Sequence, residues 1–319
     1  MPAFYTHYTF VEKNTEQKDK YARIRALGGQ GPDVFFFYGH SLAKRENKAK
    51  IRDFGTYLHH TNISAAYNFL LEYSSNQPDK KMLHAFIKGL FMHYVLDRNC
   101  HPYIFFRTGF PSCPNPTEEE KTKYMNYHVK FESVLDTIYG KLNNTFKASR
   151  KCAKCPDFQV KSVSKMFYEL AKFLNYEGLD ELTYYKAYKD MLFVESVLYS
   201  PLGVKKFFVH NIFARNKNID CMMSPSKTKK FEKYDILNLQ HSRWFDCVSG
   251  AERRESFFDL VDKAREELLT IDAIIRKSSK GENVKRDITK FVDNIDHDGF
   301  EVNAKKLHYQ VFQDLRDSK

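Results

Sequence analysis

The stretch from His93 to His101 constrains the fold more than any other part of this 319-residue chain. It places His93, Asp97 and His101 at intervals of four and follows an apolar run over residues 82–92. On an α-helix, steps of four keep successive side chains within about 40° of one another, so the three polar groups share one inward face. Imidazoles and a carboxylate on a buried face are costly unless they are compensated. A divalent metal ion would compensate them by using their nitrogen and oxygen lone pairs.

A second pair of ligand-type residues lies about thirty positions further along. His128 and Glu132 stand four apart within residues 124–142, where apolar residues recur every three or four positions. This pattern is typical of an amphipathic helix. Either pair alone could equally be a solvated ion pair on a helix surface. Two such pairs on separate apolar helices favour a metal centre.

Further candidate ligands precede these helices. His7 stands near the start of the chain, and His59 and His60 lie within the predicted helix 56–75. Asp33 follows a Gly-Pro turn and precedes the aromatic run 34–38. An aspartate in this position could also act as a helix N-cap, so the residue alone does not decide between ligand and cap.

Taken in order, these residues resemble the zinc-dependent phospholipase C family, which belongs to the phospholipase C/P1 nuclease superfamily. The motifs are His7, Gly31-Pro32-Asp33, Leu58-His59, His93-x-x-x-Asp97-x-x-x-His101-Pro102 and His128-x-x-x-Glu132. The resemblance covers residues 1–145 most clearly. It implies an all-α, multi-helix fold with a metal cluster in a cleft between helices.

The resemblance also implies a ligand set for two or three zinc ions. By motif position, one ion takes Asp33, His59, His93 and Asp97, and a second takes His101, His128 and Glu132. Asp97 would bridge to a third ion that includes His7. Secreted members complete this third site with the amino group of an N-terminal Trp. This chain has no Trp near its start, so the third ion stays open.

The function implied is zinc-dependent phosphodiester hydrolysis of the phospholipase C type. Asp33 would act as the catalytic residue that accepts a proton from the attacking water. The substrate would be an anionic phosphoester, either a phospholipid head group or a nucleotide. Two alternatives remain: a P1-type nuclease or 3′-nucleotidase, and a non-catalytic helical protein stabilised by metal. A nuclease would need exposed aromatic side chains to stack bases.

Composition agrees with an anionic partner. Lys and Arg number 51 against 40 Asp and Glu, giving a net charge of +11. This charge suits a phosphoester substrate, a nucleic acid or peripheral contact with an acidic membrane surface. No apolar window is long enough for a transmembrane segment. No basic-then-apolar leader is seen, so the sequence predicts a cytoplasmic protein with free thiols at its six cysteines, including Cys152 and Cys155.

The apolar spacing predicts helix after helix, with one domain and a tail. Predicted helices cover residues 42–53, 56–75, 79–100, 117–142, 160–175, 179–198, 204–215 and 253–278. Thr117 and Glu120 form a capping-box pattern at the start of the fourth. Residues 1–275 are predicted to form the phospholipase C-like domain, and 276–319 a polar helical appendage. Within this appendage, the run from Asp296 to Gly299 resembles a fragment of a calcium-binding loop.

Overall fold

The protein is all-α, as the sequence predicts. The computed structural model describes residues 4–16, 18–109, 117–199, 225 and 228–302. Twelve α-helices, two 3-10 helices and one pair of two-residue strands account for the regular structure within these ranges.

The helices follow one another with short connections. They are α1 (Phe4–Lys13), α2 (Ala22–Gly28), α3 (Lys48–His60), α4 (Ile63–Ser75), α5 (Lys80–Thr108), α6 (Glu118–Leu142), α7 (Ser149–Ala153), α8 (Asp157–Phe173), α9 (Thr183–Leu198), α10 (Phe257–Glu266), α11 (Leu268–Ser279) and α12 (Lys285–Val292). The 3-10 helices are Gly31–Phe37 and Lys229–Tyr234. The antiparallel strands are β1 (Trp244–Phe245) and β2 (Glu252–Arg253), with Trp244 opposite Arg253.

Helix α5 is the central element of the core. It is 29 residues long and is apolar on all sides over much of its length, which is typical of a buried helix. Helices α1, α2, α4, α6, α10 and α11 pack around it. The closest approach is to α2, because a Cβ atom on Gly28 would overlap the carbonyl oxygen of Phe86, and one on Gly89 would overlap that of Arg25. This backbone contact fixes the 3-10 helix that follows α2 against the middle of α5.

The predicted helices differ from the observed ones at several points. The predicted break between helices 42–53 and 56–75 is absent, because α3 runs without interruption from Lys48 to His60. The predicted helix 56–75 is divided at Asn62, whose φ of +52° is left-handed and ends the helical path. The predicted helix 79–100 continues through Pro102 to Thr108. The predicted helix 253–278 begins only at Phe257, after a Ser256 capping box, and is divided into α10 and α11. The capping box at Thr117 is confirmed, and the predicted helix 204–215 lies outside the described residues.

The described part of the predicted appendage, residues 276–302, packs on the rest of the molecule. Residue 275 lies inside α11, which contacts α4 and α5, and α12 contacts α4. The chain after α12 then turns back towards α5, where Gly299 lies against the backbone of Arg98. The division into two domains stays a prediction, but residues 295–300 reach the predicted metal ligands.

Two further sequence expectations concern membranes and thiols. None of the helices in the described ranges is long and apolar enough to cross a membrane. Cys152 and Cys155 are free, buried thiols, and burial raises the pKa of each to about 12. Such thiols are poor nucleophiles at neutral pH.

Candidate metal centre

All eight predicted ligands come together in one cluster. Their ligand atoms form three neighbouring groups, of which two share His93, and within each group every atom lies within 4.8 Å of the others. One group is His59, His93, Asp97 and His297; a second is His7, Asp33 and His93; a third is His101, His128 and Glu132. The structure therefore brings together every side chain that the resemblance implied, and adds His297.

Helix α5 provides the centre of the cluster. His93 and Asp97 are buried, and His101 is half-buried one turn further on. Their spacing of four residues places them on one face, as the sequence predicts. The apolar side chains on the remaining faces of α5 fix the rotation of the helix, so this polar face points into the cluster.

Asp33 reaches the cluster from the 3-10 helix Gly31–Phe37, where it lies in the first turn. Its carboxylate oxygens lie 3.0 Å from His59 Nε2 and 3.7 Å from His93 Nε2. Gly31 makes this approach possible, because its φ is +59° and a Cβ atom there would overlap the His93 ring. The Gly-Pro-Asp motif thus allows the Asp33 carboxylate to lie close to the His93 imidazole.

Three of the imidazoles are oriented in the same way. In each, Nδ1 lies at hydrogen-bond distance from a backbone carbonyl oxygen, which can only accept, so Nδ1 carries the proton. The pairs are His59 with Gly55 at 2.7 Å, His93 with Gly29 at 3.1 Å, and His101 with His297 at 2.7 Å. In the neutral imidazole Nε2 is then a bare lone pair directed into the cluster, which is the arrangement that metal-binding histidines adopt.

The carboxylates meet these lone pairs at short distances. His59 Nε2 lies 3.0 Å from Asp33 Oδ1, and His93 Nε2 lies 2.8 Å from Asp97 Oδ2. The His93 contact is short but lacks hydrogen-bond geometry, and this buried nitrogen has no hydrogen-bond partner among the described residues. Lone pairs and carboxylates repel one another unless a cation lies between them. The donor set of imidazole nitrogens and carboxylate oxygens, without sulfur, fits zinc.

Asp97 joins the first two groups of the cluster. Its oxygens lie 2.8 Å from His93 Nε2, 3.1 Å from His7 Nε2 and 3.3 Å from His297 Nδ1. Burial would raise the pKa of Asp97, but His93, His101, His7 and the hydrogen bond from His297 together hold it well below its usual range. The carboxylate is therefore charged and available as a bridging ligand.

The third group lies nearer to solvent. Glu132 Oε1 is 3.0 Å from His128 Nε2 and 3.7 Å from His101 Nε2. Burial opposes ionisation of Glu132, yet its neighbours His128 and His101 hold its pKa far below the usual range. Burial lowers the pKa of His101, but the charges of Asp97, Glu132 and Asp298 outweigh it and raise the pKa to about 10, so at neutral pH a metal ion binds this Nε2 by displacing its proton.

Sequence reasoning missed His297. This residue is 2% exposed, and burial lowers its pKa well below the usual value, so the ring is neutral. In the sequence, the run Asp296-His297-Asp298 resembles only a fragment of a calcium-binding loop. His60, Asp296 and Asp298 form a small group of their own beside the cluster. The residue types were a usable signal, but nothing in the local spacing links residue 297 to residue 97.

A cleft of about 570 Å³ opens onto the cluster. Its floor is formed by Asp33, His59, Asp97, His101, His128 and Glu132, and its apolar lining by Phe36, Phe105, Tyr124 and Met125. Basic side chains also line the cleft, namely His40, Arg52 and Lys121, and the remaining lining residues are Thr56, His60, Gly109 and Asp298. Two helices line the cleft, and each carries predicted ligands and a cation. On α3, Arg52 lies about two turns before His59; on α6, Lys121 lies two to three turns before His128 and Glu132.

Comparison with known families agrees with this geometry. Residues 26–175 match the family model described as zinc dependent phospholipase C. This segment belongs to the zinc-dependent phospholipase C family. It includes seven of the predicted ligands, whereas His7 and His297 lie outside the matched residues. Membership supports a metal-dependent hydrolase of the phospholipase type and implies zinc as the metal. No curated protein and no solved structure shows a significant match to the chain.

Proposed function

We propose that this protein is a zinc-dependent phosphodiesterase that hydrolyses anionic phospholipids by a phospholipase C-type reaction. The observation that carries the proposal is the set of Nε2 atoms, oriented by backbone carbonyls, that converges with three carboxylates on the floor of an open cleft. A purely structural metal site is closed by its protein ligands. Here several of the same ligands line a cleft large enough for a substrate.

The chain's own residues have separate roles in this reaction. Bound zinc would supply Lewis acidity to the phosphoryl oxygens and lower the pKa of water. Asp33 reaches the cleft with its carboxylate, and we assign to it the acceptance of a proton from the attacking water. Asp97 and Glu132 contribute fixed negative charge that retains the cations, while the carbonyls behind the imidazoles keep Nε2 directed at them.

The cleft lining favours an anionic head group. Arg52 lies seven residues before His59 on α3, about 10 Å along the helix axis. Its guanidinium donates to His40 Nε2 at 2.7 Å and contacts no carboxylate within the described ranges. On the opposite wall, Lys121 is exposed at the mouth of the cleft, where its ammonium pairs with the exposed carboxylate of Glu118 at 2.7 Å. A head group with its own negative charge can contact these cations while its phosphodiester lies at the cluster.

A lipid also suits the apolar part of the lining better than a nucleotide does. Phe36 is stacked on the His59 ring, and Phe105 lies against the rings of His101 and His128. One side of each phenyl ring is therefore already covered. Met125 is 58% exposed at the mouth, where it can contact acyl chains. The nuclease alternative rests on Tyr124 and the uncovered sides of these rings, and the same experiment tests it.

The deciding experiment combines metal analysis with a substrate panel. Purified protein is analysed for bound metal and then assayed against phosphatidylglycerol, phosphatidylinositol, phosphatidylcholine and single-stranded DNA. We expect two or three zinc ions per chain and release of the phosphorylated head group from the anionic lipids.

Asp33→Asn should retain the fold and abolish turnover, whereas Asp53→Asn, an exposed site on α3, should match wild type. Hydrolysis of DNA but of none of the lipids would show that the protein is a nuclease. Bound zinc without turnover of any substrate would favour a structural metal site.

A further inference from the structure

The chain after α12 forms a tight turn, residues 295–300, that we name the strap. Asp296 organises it, because Oδ1 of its carboxylate accepts hydrogen bonds from the backbone N–H groups of Asp298 at 2.9 Å and Phe300 at 3.1 Å. The other oxygen lies 3.1 Å from Nδ1 of His60 on α3. The strap is thereby a fixed element and is attached to the helix that carries His59.

The strap also contacts predicted metal ligands through its backbone. The N–H of His297 donates to the carbonyl oxygen of His59 at 3.1 Å. The carbonyl oxygen of His297 accepts from His101 Nδ1 at 2.7 Å. One residue of the strap therefore connects a ligand of α3 with a ligand of α5, and it orients the second.

A break in the hydrogen bonding of α5 provides the place where the strap docks. Pro102 has no N–H group, so the carbonyl of Arg98 lacks its usual intrahelical partner. Gly299 lies on this carbonyl with a φ of +80°, so closely that a Cβ atom would overlap the carbonyl oxygen. Only a glycine allows the strap to come this near to the turn of α5 that carries His101.

This docking buries the His297 side chain within the cluster. Its Nδ1 lies 3.3 Å from Asp97 Oδ2, and its ring centre is 4.6 Å from that of His59. One of its ring nitrogens lies within 4.8 Å of ligand atoms from His59, His93 and Asp97. The nearby His93 Nε2 is the buried nitrogen that has no hydrogen-bond partner among the described residues. Three imidazole nitrogens and one carboxylate oxygen within this distance are donors of the kind that zinc takes.

We propose that His297 is a further protein ligand of the metal centre, which binds the ion held by His59, His93 and Asp97. The inference rests on the metal centre of the proposed function, but it concerns a residue outside the segment that matches the family. It means that the part of the chain with the family motifs does not complete its own metal site. The C-terminal strap completes it.

The first test measures zinc content and affinity by competition with a chromogenic chelator. His297→Ala should lose one zinc ion per chain or bind its weakest ion about 10- to 100-fold less tightly. The matched control is His84→Ala. His84, on α5, is a buried histidine like His297, but it contacts Ser279 and Ser75 away from the cluster. This control should keep the wild-type zinc content. Wild-type zinc binding by His297→Ala would overturn the inference and leave the metal centre intact. Absence of zinc from wild type would overturn both.

The second test separates a ligand from a residue that only donates a hydrogen bond to Asp97. His297→Cys replaces the imidazole with another zinc ligand, and His297→Asn keeps an N–H donor near the position of Nδ1. With cobalt in place of zinc, the cysteine variant should show a sulfur-to-cobalt charge-transfer band that is absent from wild type. The asparagine variant should stay as weak as His297→Ala. Wild-type affinity in the asparagine variant, with no such band in the cysteine variant, would reduce His297 to a positioning residue and overturn the inference.

Discussion

The Asp136 carboxylate on α6 accepts two hydrogen bonds from Thr6, one from the backbone N–H at 2.6 Å and one from the hydroxyl at 2.9 Å. It also accepts the backbone N–H of Tyr5 at 3.1 Å. These N–H groups belong to the first turn of α1, which has no intrahelical partners for them. Asp136 lies one turn after Glu132, so α6 places one ligand directly and holds the helix that carries His7.

Replacement of Asp136 should therefore weaken the fold and the His7 position together. In Asp136→Asn the side-chain amide can accept from one N–H but presents its own donors to the other. We expect a loss of about 1–3 kcal/mol in the free energy of unfolding, and weaker binding of the ion that uses His7. Denaturant unfolding and metal titration measure the two effects. Ser256→Ala removes a capping box on α10, which carries no cluster residue, and should lower stability without loss of metal.

Loss of the shared carboxylate should cost more metal than loss of a peripheral imidazole. Asp97 contacts three imidazoles, whereas His7 pairs with the carboxylate of Asp97 and stacks on the ring of His93. We expect Asp97→Asn to release more zinc per chain than His7→Ala when both are dialysed against the same chelator. Equal losses, measured by elemental analysis, would count against the bridging role of Asp97.

Docking of the strap can be tested with two glycines that share one backbone conformation. Gly299 and Gly281 both have a φ of +80°, but a Cβ atom on Gly281 meets nothing within 4 Å. Gly281→Ala should cost about 1 kcal/mol, because alanine is strained at this φ. Gly299→Ala should cost more and should also weaken zinc binding, since the added methyl group lifts the strap from α5. If the two variants lose the same stability and keep the same zinc affinity, the close contact with Arg98 has no role.

The cations at the cleft mouth should affect substrate affinity without affecting turnover. For a lipid with an anionic head group, Arg52→Gln should raise KM about tenfold, which corresponds to about 1.4 kcal/mol, and leave kcat unchanged. A zwitterionic lipid should show little change. Lys50→Gln is the matched control on α3, because Lys50 faces Glu177 at 3.8 Å and does not line the cleft. A similar rise in KM for both lipids would show that Arg52 does not select for charge.

A buried glutamate away from the cluster predicts the pH dependence of stability. Burial, followed by the charge of Asp136, raises the pKa of Glu195 from 4.5 to about 8. The unfolded chain releases this proton near pH 4.5 and the folded chain only near pH 8, so the stabilisation is complete below pH 4.5 and is lost as the pH rises towards 8. Glu195→Gln should therefore gain a few kcal/mol over wild type at pH 9 and little at pH 4. Exposed Glu181, replaced by Gln, is the control, and an equal gain at both pH values would exclude ionisation as the cause.

The sequence was sufficient for those parts of the site that lie within single helices. His93, Asp97 and His101 could be grouped because a spacing of four survives in any straight helix. The same rule placed His128 beside Glu132. Helix ends were harder, since the break at Asn62 depends on one left-handed residue and the continuation of α5 depends on packing that tolerates Pro102.

The grouping of ligands from different helices needed more than spacing. His7 and Asp33 could be added only by resemblance to a family, because no local pattern relates them to α5. Neither helical spacing nor the family resemblance points to His297, because it is 200 residues from Asp97 and lies outside the matched segment. Its place depends on how α11 and α12 pack on α4 and α5, a tertiary contact that propensities and periodicity do not encode.

The cluster around Asp97 is assembled from both ends of the described chain, from His7 to His297. During synthesis, helix α5 can form and collapse long before the strap leaves the ribosome. The full set of contacts around Asp97 is therefore among the last to form, as expected for contacts of large sequence separation. A nascent or truncated chain that lacks the strap can be compact and helical, yet it has an incomplete cluster, so acquisition of the final ligand marks the completion of folding.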